Sequence, residues 1–127
     1  MLYLDSGAVR GKYNKESKRN SIMSENIFSN LVGKKVVVRS INAGVFFGTL
    51  DAVTPDGCSC ELSGARKLWY WEGAAAVEEL AANGTSLPEK CKFTVRVDSI
   101  AIVGICQIIP ATDRAAASIE GVSEWKA

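Results

Sequence analysis

The most chemically versatile side chains lie in one run of cations and aromatic rings, Arg66-Lys67-Leu68-Trp69-Tyr70-Trp71. Side chains alternate between the two faces of a strand, so a strand here places Lys67, Trp69 and Trp71 on one face and Arg66 and Tyr70 on the other. Indole rings beside an ammonium group can stack a planar ligand and neutralise its phosphate, and a guanidinium fork suits phosphate or carboxylate. The run therefore predicts a ligand site for a nucleotide-like molecule, formed by Arg66, Lys67, Trp69, Tyr70 and Trp71.

The same run has a structural alternative. One of its tryptophans can pack under a neighbouring helix, while Tyr70 buries its ring and extends its hydroxyl to water. The sequence leaves both interpretations open.

Histidine is absent from the 127 residues. This excludes Ser-His-Asp and Cys-His catalysis, zinc sites with imidazole ligands and imidazole proton relays. The carboxylates offer no clear replacement, because the neighbours Glu78 and Glu79 point apart on a predicted helix. No phosphate-binding glycine loop is present. We expect a protein that is not an enzyme and needs no cofactor.

The four cysteines are Cys58, Cys60, Cys91 and Cys106. They are too sparse for a disulfide scaffold, and no secretory signal accompanies them. An all-thiolate zinc site is the alternative, but such sites use two close pairs, and Cys91 and Cys106 are far apart in sequence. The spacing therefore predicts free thiols and no metal.

Charge divides the chain into two parts. Lys and Arg total 15, and Asp and Glu total 14, for a net charge of +1. Residues 1–22 hold five basic and two acidic residues and lack periodicity, which predicts a flexible basic tail. Met23 precedes a helix cap, so the tail has two open interpretations. Either translation starts at Met23 and the tail is not native, or residues 1–22 form a basic arm that binds nucleic acid or a partner. Residues 23–127 form one predicted domain with ten basic and twelve acidic residues, a balance that disfavours nucleic acid.

Strands and helices follow from the apolar periodicity of this domain. A short helix at residues 24–32 precedes strands, and further helices span residues 74–82 and 112–121. The strands are predicted at 35–40, 45–53, 58–62, 67–71, 93–97 and 100–109, the last two being a half-buried strand and a nearly continuous apolar one. Apolar runs such as Ile100–Ile105 fall far short of the ~20 residues that span a membrane. Several short strands joined by turns favour a mainly β fold that closes into a small barrel.

The first half of this barrel resembles the Sm-like family. The segment Lys34–Ala65 contains VVVRSINAGVFFGTLDAVTPDG, in which a strand, a turn and a strand bent at Gly48 recur in the family's order. Ile102-Val103-Gly104 is similar to the apolar-Arg-Gly motif of its second half. The resemblance implies an Sm-like β-barrel that assembles into rings. Val103 replaces the arginine, and the loop Asp51–Gly57 lacks the family's RNA-contacting Asp-x-x-Met-Asn element, so RNA binding does not carry over.

A second resemblance covers most of Leu31–Trp125. It is carried by an Ala-Arg-x-x-Trp-Tyr-Trp motif at Ala65–Trp71, followed by Gly73-Ala74-Ala75, Leu80–Thr85, Cys91-Lys92, Ser118-Ile119, Val122 and Glu124-Trp125. These segments resemble a family of small uncharacterised proteins of tailed bacteriophages. The resemblance implies a viral accessory protein and supplies no activity.

Together these patterns predict a non-enzymatic bacteriophage accessory protein in the host cytoplasm. We expect it to bind a nucleotide-like molecule, to form a homo-oligomer and to make no membrane contact, with sequestration of that molecule or modulation of a host protein as its role. Two alternatives stay open: a structural or assembly protein of the virion, and an Sm-like ring that binds RNA through the tail.

Overall fold

The computed structural model describes residues 27–127. The predicted basic tail at 1–22 and Met23 lie outside the described residues. Ile27–Ser29 are helical. The strands that follow are β1 (Lys35–Ser40), β2 (Gly44–Val53), β3 (Ser59–Tyr70), β4 (Lys92–Phe93), β5 (Val97–Val103) and β6 (Ile105–Pro110). The helices are α1 (Val77–Asn83), between β3 and β4, and α2 (Asp113–Glu120), after β6.

The strands form one antiparallel sheet that curves back on itself. Its order is β4-β3-β2-β1-β6, and β5 also pairs with β3. Although β5 and β6 pair at opposite edges of the β3-β2-β1 unit, only Gly104 separates them in the chain. Gly104 turns this corner with φ 71°, and Ile41 donates a backbone hydrogen bond to its carbonyl at 2.9 Å. The fold-class prediction is confirmed: a small, mainly β domain with an inserted helix and a C-terminal helix.

Both faces of β1 are buried, which explains its unbroken valine run. Val36 and Val38 face the barrel interior and pack with Leu50, Leu62 and Ile102. Val37 points the opposite way, into the cluster formed with the two helices. We call this second group the helix cluster; its fully or nearly buried members include Phe47, Leu68, Val77, Leu80, Phe93, Ile119 and Val122. The inserted and C-terminal helices therefore cover the outer face of the sheet beside the end of β3.

The sequence predicts two strands, at 58–62 and 67–71, interrupted at Ser63-Gly64; this interruption is wrong, because β3 is one continuous strand. Gly64 adopts φ 54° within it, and the pairing with β2 shifts register between Phe47 and Thr49. Gly48 lies opposite this irregularity, and a Cβ there would be 3.0 Å from the carbonyl oxygen of Ser63. The glycines therefore indicated where β3 is irregular, but the irregularity is a β-bulge within the strand and not the end of a strand. The bulge determines which side chains of the following run face the core.

Three other boundaries differ from the prediction. The expected strand at 93–97 is only Lys92–Phe93, because the Thr94 hydroxyl and backbone bond to Lys67 instead of extending the ladder. The expected strand at 100–109 divides at Gly104. Helix α1 begins at Val77, since Glu79 accepts a hydrogen bond from the Ala75 amide before the first turn. Helix α2 begins as predicted, with the Thr112 hydroxyl accepting from the Ala115 amide.

Candidate functional site

Arg66 lies inside the molecule and is 1% exposed. Its guanidinium donates four hydrogen bonds, all to backbone carbonyls: to Thr94 at 3.0 Å, Phe93 at 3.1 Å, Ile119 at 3.0 Å and Val122 at 2.9 Å. The guanidinium carbon also lies 5.6 Å from the centre of the Phe93 ring. The predicted role of Arg66 as a surface fork for an anion is therefore corrected, because its donors are already bound inside the protein.

The position of Arg66 explains how a buried cation is tolerated. Ile119 belongs to the last turn of α2, where the unpaired carbonyls carry the negative end of the helix dipole. Burial lowers the pKa of Arg66, but a guanidinium starts so high that it stays protonated. The side chain thus ties β3 to the end of α2 and to the chain that follows it.

Lys67 and Trp71 each have their own contacts elsewhere in the fold. The Lys67 ammonium lies 5.8 Å from the centre of the Phe46 ring on the neighbouring β2. Trp71 is half-buried and packs against the helix cluster. Since β3 ends at Tyr70 and its pairing with β4 shifts register there, strict alternation no longer orients Trp71. The expected face of Lys67, Trp69 and Trp71 is not formed, and the structural alternative holds for Trp71.

Trp69 and Tyr70 are exposed and belong to a different cluster. Trp69 is 53% exposed and stacks on Trp125, with ring centres 4.8 Å apart and an interplanar angle of 23°. The Lys92 ammonium lies 5.5 Å, 5.9 Å and 5.6 Å from the ring centres of Trp69, Tyr70 and Trp125. We call Trp69, Tyr70, Lys92 and Trp125 the aromatic patch. It combines three rings that water can reach with one cation.

Two pairings bring the patch together. Lys92 lies opposite Tyr70 in the β3–β4 ladder. Trp125 reaches the same place because its amide donates to the Phe93 carbonyl at 2.8 Å, beside a parallel bridge between Phe93 and Glu124. Arg96 holds Glu124 through an ion pair at 3.2 Å. The patch is therefore built on hydrogen-bonded backbone, although its side chains are at the surface.

Glu72 adds an acidic group to one side of the patch. The Tyr70 hydroxyl donates to a Glu72 carboxylate oxygen at 2.6 Å. This hydrogen bond raises the pKa of Tyr70 above its ordinary value, which is already far above neutral pH. The Tyr70 ring thus has a carboxylate at its hydroxyl and an ammonium near its centre.

Sequence reasoning missed Lys92, Trp125 and Glu72 as site residues. Lys92 and Trp125 lie far from the aromatic run in sequence, and no local spacing links them to it. The only available signal was their occurrence among the segments of the bacteriophage resemblance, which does not place them in space. Glu72 is adjacent to the run, but its contact with Tyr70 depends on the end of β3.

Other parts of the described chain offer less chemistry. A groove of about 630 Å³ lies between α2 and the start of β1, lined by small residues and charged groups and containing the Lys35–Glu120 ion pair at 2.9 Å.

Within residues 27–127, no three acidic or cysteine side chains are grouped to hold a metal ion. Cys60 is buried while Cys58 is exposed and precedes the start of β3, so strand alternation does not pair their thiols. No helix between residues 27 and 127 is long and apolar enough to cross a membrane.

Comparison with known proteins identifies a family for the chain. Residues 33–119 match the family described as Domain of unknown function (DUF6948). The chain belongs to this family. No curated protein matches it. The DUF6948 match includes the barrel, both helices and Arg66, together with Trp69, Tyr70, Glu72 and Lys92, whereas Trp125 lies beyond its end. The family description names no activity, so a function for this DUF6948 domain has to be argued from the patch.

Proposed function

We propose that this protein is a non-enzymatic bacteriophage accessory protein that binds a nucleotide-like molecule at the aromatic patch in the host cytoplasm. The observation that carries the proposal is the Lys92 ammonium, which lies within 6 Å of three ring centres in a patch whose rings are 42–53% exposed. Contiguous exposed aromatic surface of this kind favours a site that a ligand or partner covers. The role that follows is sequestration of the molecule or modulation of a host protein that depends on it.

The chemistry of the patch suits a planar anion. Trp69 and Trp125 cover one face of each other, which leaves the outer face of each indole for a base. Stacking of a base on an aromatic side chain contributes about 1–3 kcal/mol. Lys92 is exposed and makes no side-chain hydrogen bond or ion pair within residues 27–127. Its ammonium is thus available to a phosphate on a ligand that stacks beside it.

Assembly into a homo-oligomer is part of the same proposal. Within the described sheet, β5 pairs only with β3 and β6 only with β1. Each of these strands therefore has a second edge that can accept a strand from another copy, and such head-to-tail contacts close into rings when the geometry permits. Native mass spectrometry measures the assembly state directly and also detects a co-purifying small molecule.

A virion structural or assembly role is the second candidate. Ile41 and Val103 are 75% and 69% exposed, and the Ile41 amide bonds to Gly104, so both lie at the same end of the barrel. Exposed apolar side chains of this size favour a protein contact. This candidate predicts that the protein is found in purified virions. The RNA-ring alternative instead predicts binding that weakens steeply with salt and depends on residues 1–22.

Calorimetric titration with nucleoside mono-, di- and cyclic monophosphates tests nucleotide binding. We expect Trp125→Ala to weaken affinity about tenfold through lost stacking. Lys92→Gln should weaken nucleotide binding about fivefold while leaving nucleoside binding unchanged, because only the phosphate contact is lost. Lys34→Gln removes the same charge from the start of the barrel and serves as the control. Absence of binding to every nucleotide, or equal effects of Lys92→Gln and Lys34→Gln, would overturn the proposal.

A further inference from the structure

The aromatic patch has a hydrogen-bonding side as well as a stacking surface. Glu72 reaches the Tyr70 hydroxyl at 2.6 Å, and the Lys92 ammonium lies 5.9 Å from the centre of the same ring. A planar molecule resting on Tyr70 therefore meets a carboxylate at the hydroxyl end of the ring and an ammonium near the ring centre. The two groups place opposite charges at the Tyr70 ring.

A carboxylate distinguishes among the bases because it can only accept hydrogen bonds and so requires N–H groups on the base. It has two oxygens that only accept, and it binds best to two parallel N–H groups. The Watson–Crick edge of guanine presents such a pair, its N1–H and its 2-amino group. Adenine and cytosine place an acceptor nitrogen beside their amino group, and uracil places carbonyls on both sides of its single N–H. Guanine alone among the four matches a carboxylate with two adjacent donors.

The hydrogen bond from Tyr70 prepares Glu72 for this contact. It occupies one acceptor position on one oxygen, and a carboxylate offers about four such positions. The carboxylate is therefore held against the patch and still has room for two further donors. Since Glu72 is half-buried, the rotamer freedom lost on ligand binding is already reduced.

We propose that the aromatic patch selects guanine nucleotides. The base stacks on an exposed indole face, Glu72 accepts hydrogen bonds from the guanine N1–H and 2-amino group, and Lys92 pairs with the phosphate. This inference rests on the proposed nucleotide-binding function and adds the identity of the base.

The test compares GMP, AMP and IMP on the unaltered full-length protein by calorimetry. We expect GMP to bind about tenfold more tightly than AMP, because AMP sets an acceptor against the carboxylate. IMP keeps N1–H but lacks the 2-amino group, so its affinity should fall between the two. Equal affinities for the three nucleotides would overturn the guanine selection while leaving nucleotide binding intact, whereas no binding by any of them would overturn both.

A matched pair of variants assigns the preference to Glu72. Glu72→Gln replaces one acceptor oxygen with a donor amide, which matches the adjacent amino group and acceptor nitrogen of adenine, so the GMP preference should fall to less than about twofold and AMP should bind somewhat more tightly. Glu61→Gln, an exposed position nearer the other end of β3, loses the same charge and should keep the preference. Melting temperatures establish that both variants are folded. A Glu72→Gln protein that is folded and still prefers GMP tenfold would overturn the assignment.

Discussion

Two cations lie against aromatic rings on either side of the β3–β4 pairing, and the protein uses them in opposite ways. Arg66 contacts the Phe93 ring, is 1% exposed and donates hydrogen bonds to four backbone carbonyls. Lys92, the residue before Phe93, contacts three rings from the surface. The same type of cation–aromatic contact is thus structural where water is excluded and available to a ligand where water is present. Burial separates the two regions, and residue type goes with it, since a guanidinium can donate to four carbonyls and an ammonium cannot.

Replacing Arg66 should have the largest effect on stability. Arg66→Met keeps the buried volume but leaves the Thr94 and Val122 carbonyls without a donor, so we expect the free energy of unfolding to fall by about 3–5 kcal/mol. Denaturant unfolding measures this loss. Lys67→Met, at the half-exposed neighbouring position, should cost less than about 1 kcal/mol. Equal losses for the two variants would contradict the distinction between a buried and a surface cation.

Removing one ring of the patch should have an intermediate effect. Trp69→Ala and Trp125→Ala each remove the indole stack, which contributes about 0.5–1.5 kcal/mol beyond the area it buries. A double-mutant cycle on unfolding free energies should therefore give a coupling of about 1 kcal/mol between the two tryptophans. If the losses of the two single variants simply add in the double variant, the contact between the two indoles contributes nothing to the free energy of unfolding.

The smallest effect should come from the ion pair that holds the C-terminal segment. The backbone amide and side chain of Arg96 lower the pKa of Glu124 from its ordinary 4.5. A carboxyl group with a lowered pKa stabilises the fold above its unfolded value, and the contribution disappears as the pH falls through the folded value. Glu124→Gln should therefore lower the melting temperature slightly near neutral pH.

This difference from the unaltered protein should vanish once the pH has fallen below the lowered folded pKa of Glu124, because the carboxyl group is then protonated in both states. Melting curves between neutral and acidic pH measure it, with Glu89→Gln as an exposed control outside the C-terminal segment. A melting-temperature difference that stays constant across this range would show that the carboxylate charge of Glu124 is not what holds the segment.

Most of the fold was accessible from local sequence because its signals are local. Uninterrupted β-branched residues predicted β1 to its ends. Thr112 and Asp113 were the two candidate caps for α2, and the Thr112 hydroxyl is the one that caps the helix. The strand predicted at 93–97 failed for a non-local reason. Its alternation was sound, but Thr94 finds its hydrogen-bond partner on Lys67, far away in the chain.

The sequence by itself determined the mainly β class, the positions of the turns and the presence of a cation-rich aromatic run at Arg66–Trp71. Only the tertiary structure decided which members of that run face water. Alternation places Arg66 and Trp69 on opposite faces of β3, and the helix cluster covers the face that holds Arg66 and Leu68 while Trp69 stays exposed. Trp71 departs from alternation because β3 ends at Tyr70, so its ring packs against the helix cluster. Lys92 joins the aromatic patch through the pairing of β4 with β3, and Trp125 joins it through the backbone hydrogen bond from its amide to Phe93. Such long-range hydrogen bonds depend on the closed fold, which is why no local pattern contains them.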